Sequence, residues 1–152
     1  MKIAIVGGGI GGLGLALALH ARGIGCDVYE SVAEVREIGV GITLLPHAMR
    51  ELSALGLQAA LEAEAIENLE SVFFNRYGQF IYREPRGRHA GYALPELGIH
   101  RGKLHRIMYR AALDAKERAE GVRDKMVKLA KKPAQERFAR AGWESYLERV
   151  ND

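Results

Sequence analysis

The chain has 152 residues, 48% of them hydrophobic and 27% charged, with a formal net charge of +3. Those values describe a globular chain able to form a core, and they exclude a disordered polymer. No basic block is interleaved with aromatic residues as a nucleic-acid surface requires, and no uninterrupted run of about 18 apolar residues marks a membrane span.

The first element is a short β-branched run, Lys2 to Val6, which stops at glycines and reads as a buried strand. A helix follows from about Ile10 to Arg22, apolar nearly all round through Leu13, Leu15, Leu17 and Leu19. Gly23 and Gly25 end it, and Cys26 to Glu30 reads as a second strand. Strand, glycine turn, helix and strand within 30 residues make a right-handed βαβ unit. Cys26 is the one cysteine, so no internal disulfide is available, which fits a reducing compartment. The opening residues show neither a basic n-region nor a small-residue cleavage site, and the expected location is the cytoplasm.

Arg36 to Leu45 reads as a glycine-bearing loop, and Pro46 suits the first turn of a helix ending near Gly56. A short helix over Gln58 to Ala65 follows. Val72-Phe73-Phe74 and Gln79-Phe80-Ile81-Tyr82 flank Arg76-Tyr77-Gly78, the pattern of a hairpin. Glu84 to Pro95 reads as a loop, and a helix is expected after Gly102. From Asp114 the chain turns highly charged, with ten Lys/Arg against eight Asp/Glu, and both Ala115 to Lys132 and Ala134 to Val150 read as helices. The expected organisation is a dinucleotide-binding segment over 1–113 and a charged helical tail over 114–152.

Gly7-Gly8-Gly9-Ile10-Gly11-Gly12 satisfies G-x-G-x-x-G between a strand and a helix. Gly7 permits the tight turn, Gly9 lets backbone approach a diphosphate, and Gly12 lets the helix pack close to the strand. Phosphates at such a helix N-terminus meet unpaired N–H groups and the positive end of the dipole. Glu30 stands 18 residues after Gly12, where a carboxylate accepts ribose hydroxyls and repels a 2′-phosphate. FAD or NAD is therefore favoured over NADP.

The segment Arg36-Glu37-Ile38-Gly39-Val40-Gly41-Ile42-Thr43-Leu44-Leu45-Pro46-His47-Ala48 resembles the second segment of the para-hydroxybenzoate-hydroxylase-like flavin monooxygenases. Ile99-His100-Arg101-Gly102 resembles that family's arginine at a helix start beside the cofactor. Tyr77-Gly78-Gln79, Glu84-Pro85-Arg86-Gly87 and Ala90-Gly91-Tyr92 are similar to the phenazine-hydroxylase-like subgroup. The resemblance spans Met1 to about Leu113. It implies an α/β fold with a Rossmann-like FAD-binding unit, incomplete relative to the family and followed by a helical C-terminal extension. It also implies FAD as cofactor, NAD(P)H as reductant and hydroxylation of a small aromatic substrate with O2. Carried over residue by residue, Gly7, Gly9, Ile10, Gly11 and Gly12 would face the diphosphate and Glu30 the ribose. Arg36 and Arg101 would meet cofactor oxygens, and Gly39 and Gly41 would keep their loop close to the flavin. Ser31 departs from the basic residue that many members place after the acid, so one adenosine contact is in question.

Other polar residues do not assemble a site in the sequence. His20 reads as a structural histidine, and His100 and His105, five apart, do not share a helix face or complete a metal set. The serines lack a nucleophile-elbow context. Past Leu113 the sequence shows no strand-like run and none of the family's later motifs. The first strand would then keep one open edge, covered in part by the tail helices or by self-association, which light scattering after size exclusion tests. A non-catalytic nucleotide-binding or interaction module, and a small NAD-dependent oxidoreductase, are the alternative readings.

Overall fold

The computed structural model describes residues 3–31, 40–120 and 127–130, and these form an α/β fold. The chain divides into two compact units, one from Met1–Arg36 with Met108–Asp152 and one from Glu37–Ile107.

In the first unit, strand β1 (Ile3–Val6) leads through the glycine turn into helix α1 (Ile10–His20), and strand β2 (Cys26–Tyr29) returns parallel to β1. The register pairs Ile3 with Cys26 and Val6 with Tyr29. Ile5, Ala16, Cys26 and Val28 form the core cluster, with Ile3 and Leu19 packed against it. Only one stripe of α1 is buried, through Leu13, Ala16 and Leu17, while Leu15 is half exposed. The glycine stop acts as expected: Gly23 has φ +72°, a left-handed conformation that a side chain resists.

Helix α4 (Arg101–Glu120) contributes to this unit from Met108 onward. Met108, Ala112 and Ala115 are buried at i, i+4, i+7 spacing, the stripe of a helix packed on one face. The Met108 methyl lies 3.4 Å from where a Cβ on Gly14 would stand, so the missing side chain lets α4 approach α1 closely.

Strand β8 (Val127–Ala130) pairs parallel with β2, Cys26 against Val127 and Tyr29 against Ala130. This corrects the expectation of an all-helical extension. The boundary expected at residue 113 falls inside α4, and a tail expected to hold no strand supplies one. Its local sequence, rich in Lys, Met, Leu and Ala, favours a helix in isolation, and pairing with β2 overrides that preference. The sheet order is β1-β2-β8, so among the described residues β1 has a partner on one side only. The helix expected over Ala134 to Val150 lies outside the described residues.

The second unit holds a three-stranded sheet of order β3-β7-β4, with β3 (Gly41–Leu44), β4 (Ile66–Glu67) and β7 (Leu97–His100) all paired antiparallel. Gly41 to Leu44 is thus a strand and not a loop, and Leu97 to His100 is a strand that local patterning missed. Helix α2 (Pro46–Ala54) starts at its proline and ends before Gly56, whose φ is +78°. A short helix, α3 (Gln58–Glu64), follows. Leu44, Met49, Leu57, Leu61, Leu97, Ile99 and Leu104 fill the core between these elements.

Strands β5 (Glu70–Phe74) and β6 (Phe80–Pro85) form the expected hairpin. Asn75 Oδ1 accepts the Tyr77 and Gln79 amides at 2.9 and 3.0 Å, and Gly78 takes φ +77° to complete the turn. Phe73 stacks on Tyr82 across the strands, with ring centroids 5.9 Å apart, yet both stay about half exposed. No helix among the described residues is long and apolar enough to cross a membrane.

Candidate functional site

The glycine turn follows from where a Cβ would fit. Gly7 has φ +103° and donates its N–H to the Tyr29 carbonyl at 2.7 Å, turning the chain sharply at the end of the β1–β2 ladder. A Cβ on Gly12 would run into the Gly7 carbonyl oxygen and stand 3.3 Å from Ile5 Cγ2, so glycine there sets the closeness of helix to strand. Above Gly9 and Gly11 a Cβ would meet nothing within 4 Å. Space is open over those two positions, while the turn is closed behind them.

Helix α1 begins at Ile10 with Gly9 as N-cap, without a side-chain cap and without an acidic residue in its first turn. Its opening N–H groups therefore carry the helix's positive end with no carboxylate of their own to offset it. This is the donor set a diphosphate takes.

Glu30 is tied to this turn. Its Oε2 accepts the Gly8 N–H at 2.7 Å across 22 residues of sequence, and its Oε1 accepts the Ser31 hydroxyl at 3.1 Å. These bonds orient the carboxylate at the turn. The acid at the end of β2 and the glycine turn after β1 are thus one hydrogen-bonded assembly within one unit. Sequence reasoning missed Gly8, because its task is done by an N–H that every residue except proline possesses.

The other expected residues fall elsewhere. Gly41 and Arg101 belong to the second unit and share one end of the β3–β7 ladder, where Gly41 pairs with His100 and the Arg101 N–H bonds the Val40 carbonyl at 3.2 Å. Arg101 is the first residue of α4, and its side chain is exposed. Arg36 and Gly39 lie outside the described residues.

At the far end of that ladder the second unit holds a cavity of about 620 Å³. Leu45, Pro46, Pro85 and Leu94 give it apolar walls, and His47, Arg50 and Tyr92 also line it. One wall is ionic. Arg86 lies between Glu84 (Nη1 to Oε1, 2.7 Å) and Glu96 (Nε to Oε2, 3.0 Å), and Asn68 Nδ2 donates to Glu96 Oε1 at 3.2 Å. Glu96 is the buried charged residue among the described residues. The hydrogen bond with Glu96 is the main cause that pushes the Arg86 guanidinium above its ordinary pKa, and the bond to Glu84 pushes the Tyr82 phenol up. Gly87, at φ +50°, lets the chain pass so close to Glu96 that a Cβ would collide with the Glu96 amide. No group of three metal-ligating side chains occurs among the described residues.

A βαβ unit with an uncapped helix start at a glycine turn, and an acid held at the end of the next strand, defines a dinucleotide-binding protein of the Rossmann type. Residues 1–140 match the family described as FAD binding domain, and the chain belongs to that family, whose cofactor is FAD. It is 46% identical over 110 residues to a phenazine 1,6-dicarboxylic acid hydroxylase of Lysobacter antibioticus, covering 72% of this chain and 27% of that protein. It is 36% identical over 108 residues to a 3-hydroxybenzoate 6-hydroxylase of Polaromonas naphthalenivorans, covering 69% and 27%. Among solved structures, a variant of Klebsiella pneumoniae HpxO complexed with FAD superposes with a TM-score of 0.64 at 28% identity, covering 76% of this chain and 30% of that one. The chain thus spans between a quarter and a third of the length of these relatives.

Proposed function

We propose that this chain is the FAD-holding segment of a flavin-dependent aromatic monooxygenase. The observation that carries the reading is the Gly8–Glu30 hydrogen bond, which fastens a ribose-accepting carboxylate to the glycine turn ahead of a helix start that has no side-chain cap. Backbone N–H groups at the start of α1 donate to the diphosphate, and open space over Gly9 and Gly11 admits it. Glu30 accepts ribose hydroxyls and, being anionic, disfavours a nucleotide with a 2′-phosphate at this position. Arg36 and Arg101 neutralise cofactor oxygens, while Gly39 and Gly41 keep their segment slim beside the flavin. Bound FAD supplies the electron transfer between NAD(P)H and O2 that hydroxylation of a small aromatic ring needs. Similarity to a phenazine 1,6-dicarboxylic acid hydroxylase and a 3-hydroxybenzoate 6-hydroxylase supports this reaction class.

Titration with FAD, followed by flavin fluorescence, tests the reading. Saturable binding is expected, weakened about tenfold or more in Glu30→Ala, the scale for loss of a hydrogen bond to a charged group. Absence of saturation, or equal affinity in the variant, sinks it.

A further inference from the structure

The cavity lies within the contiguous second unit, lined by residues 45–50 and 84–96, and carries an ionic wall that the flavin roles above do not use. Its volume of about 620 Å³ lies in the range of small-molecule sites, and its apolar walls suit a flat ring system. What the ring must carry follows from the ionic wall.

Two carboxylates face one guanidinium in that wall, and the other cation of the lining, Arg50, is 73% exposed and held by its neighbour Glu51 at 2.9 Å. Arg86 is already offset by Glu84 and Glu96, so it is a poor clamp for a ligand carboxylate. Glu96 has both oxygens engaged, and its side chain is 6% exposed. Glu84 differs. Its side chain is 31% exposed, Oε1 takes Arg86 at 2.7 Å, and Oε2 takes only a longer bond from the Tyr82 hydroxyl at 3.2 Å. With about four acceptor positions on a carboxylate, Glu84, a residue of the cavity lining, retains acceptor capacity.

We propose that this cavity binds a planar aromatic molecule bearing an N–H donor, an amino group or a protonated ring nitrogen, and that Glu84 receives that donor. Glu84 is then the residue that sets specificity, through a charge-assisted bond in a partly dehydrated site. The inference deepens the function proposed above by naming the chemistry of the aromatic, and it rests on that reading in taking an aromatic as the ligand.

The full chain is titrated at alkaline pH, where both ring nitrogens are deprotonated, with 2-aminoquinoline and with 2-methylquinoline, which have nearly the same shape and then differ only in the amino donor. In the wild type the amine is expected to bind about tenfold tighter, as one hydrogen bond to a charged group gives. Glu84→Gln should bring the two affinities to within about twofold. The ratio is the readout, because partial unfolding lowers both affinities alike and leaves their quotient unchanged. Ala93→Phe, at an exposed position of the lining, should weaken both ligands by about tenfold through steric filling alone. Equal affinities in the wild type, or an unchanged ratio in Glu84→Gln, overturn the proposal. An FAD titration of the same preparation separates the two ideas. FAD saturation with no quinoline binding overturns the cavity assignment and spares the flavin reading. Quinoline discrimination without FAD binding does the reverse.

Discussion

The glycine turn of the first unit and the ionic wall of the second, each proposed above to hold a polar ligand group, are built by opposite means. The turn is built from backbone: its donors are amides, and its shape depends on side chains that are not there. The wall is built from side chains, with Arg86, Glu84, Glu96 and Asn68 each bonded to another. Adding atoms ruins the first, and removing atoms ruins the second.

The largest expected effect separates closure of the turn from its openness. Gly12→Val drives a Cβ into the Gly7 carbonyl and should cost about 3 kcal/mol of stability, read by urea unfolding, and abolish FAD binding as well. Gly9→Val meets open space, so it should leave the urea midpoint nearly unchanged while still blocking FAD. If both variants unfold alike, the division of labour among the glycines is wrong.

On the side-chain wall, Glu96→Ala should cost about 2 kcal/mol, because it removes the buried partner of both Arg86 and Asn68. Glu96→Gln keeps the hydrogen-bond acceptor and should recover about half of that. Equal losses from the two substitutions would show that shape, and not hydrogen bonding, holds this wall.

The smallest effect concerns Cys26. Burial, and then the neighbouring Asp27 charge, raise its thiol above the reference value of 9.0. A raised folded-state pKa means the folded chain keeps its proton longer than the unfolded chain does. The corresponding stabilisation is full below about pH 9 and drains away as pH rises through the folded-state value. Cys26→Ser should flatten that alkaline decline in a series of urea curves. A decline of the same slope in the variant would assign it to other groups.

Much of the first unit is legible from residue order because its elements are local. The β-branched run at Ile3–Val6, the glycines at 7, 9 and 12, and the strand over Cys26–Tyr29 each mark themselves. The hairpin is legible for the same reason, with Asn75 and Gly78 supplying the turn chemistry. Strands β3 and β7 were hidden because each is four residues long and its partner is far off in sequence, Gly41 lying against His100. Strand β8 was hidden by helix-favouring composition. The Glu84–Pro95 wall of the cavity looks like a plain loop in the sequence, because its shape depends on the positive φ of Gly87 and on a charge network drawn from Asn68 to Glu96. Residue types alone do not reveal such convergence.

The pairing of Cys26 with Val127 has a consequence for how the molecule is born. The first unit is split in sequence around the second, so during synthesis residues 37–107 can emerge and fold as one continuous piece. The opening βαβ must meanwhile wait, its third strand still unmade. At about 5–20 residues per second, that interval lasts several seconds. Throughout it the nascent β2 shows a bare edge to the ribosome exit and to any chaperone stationed there.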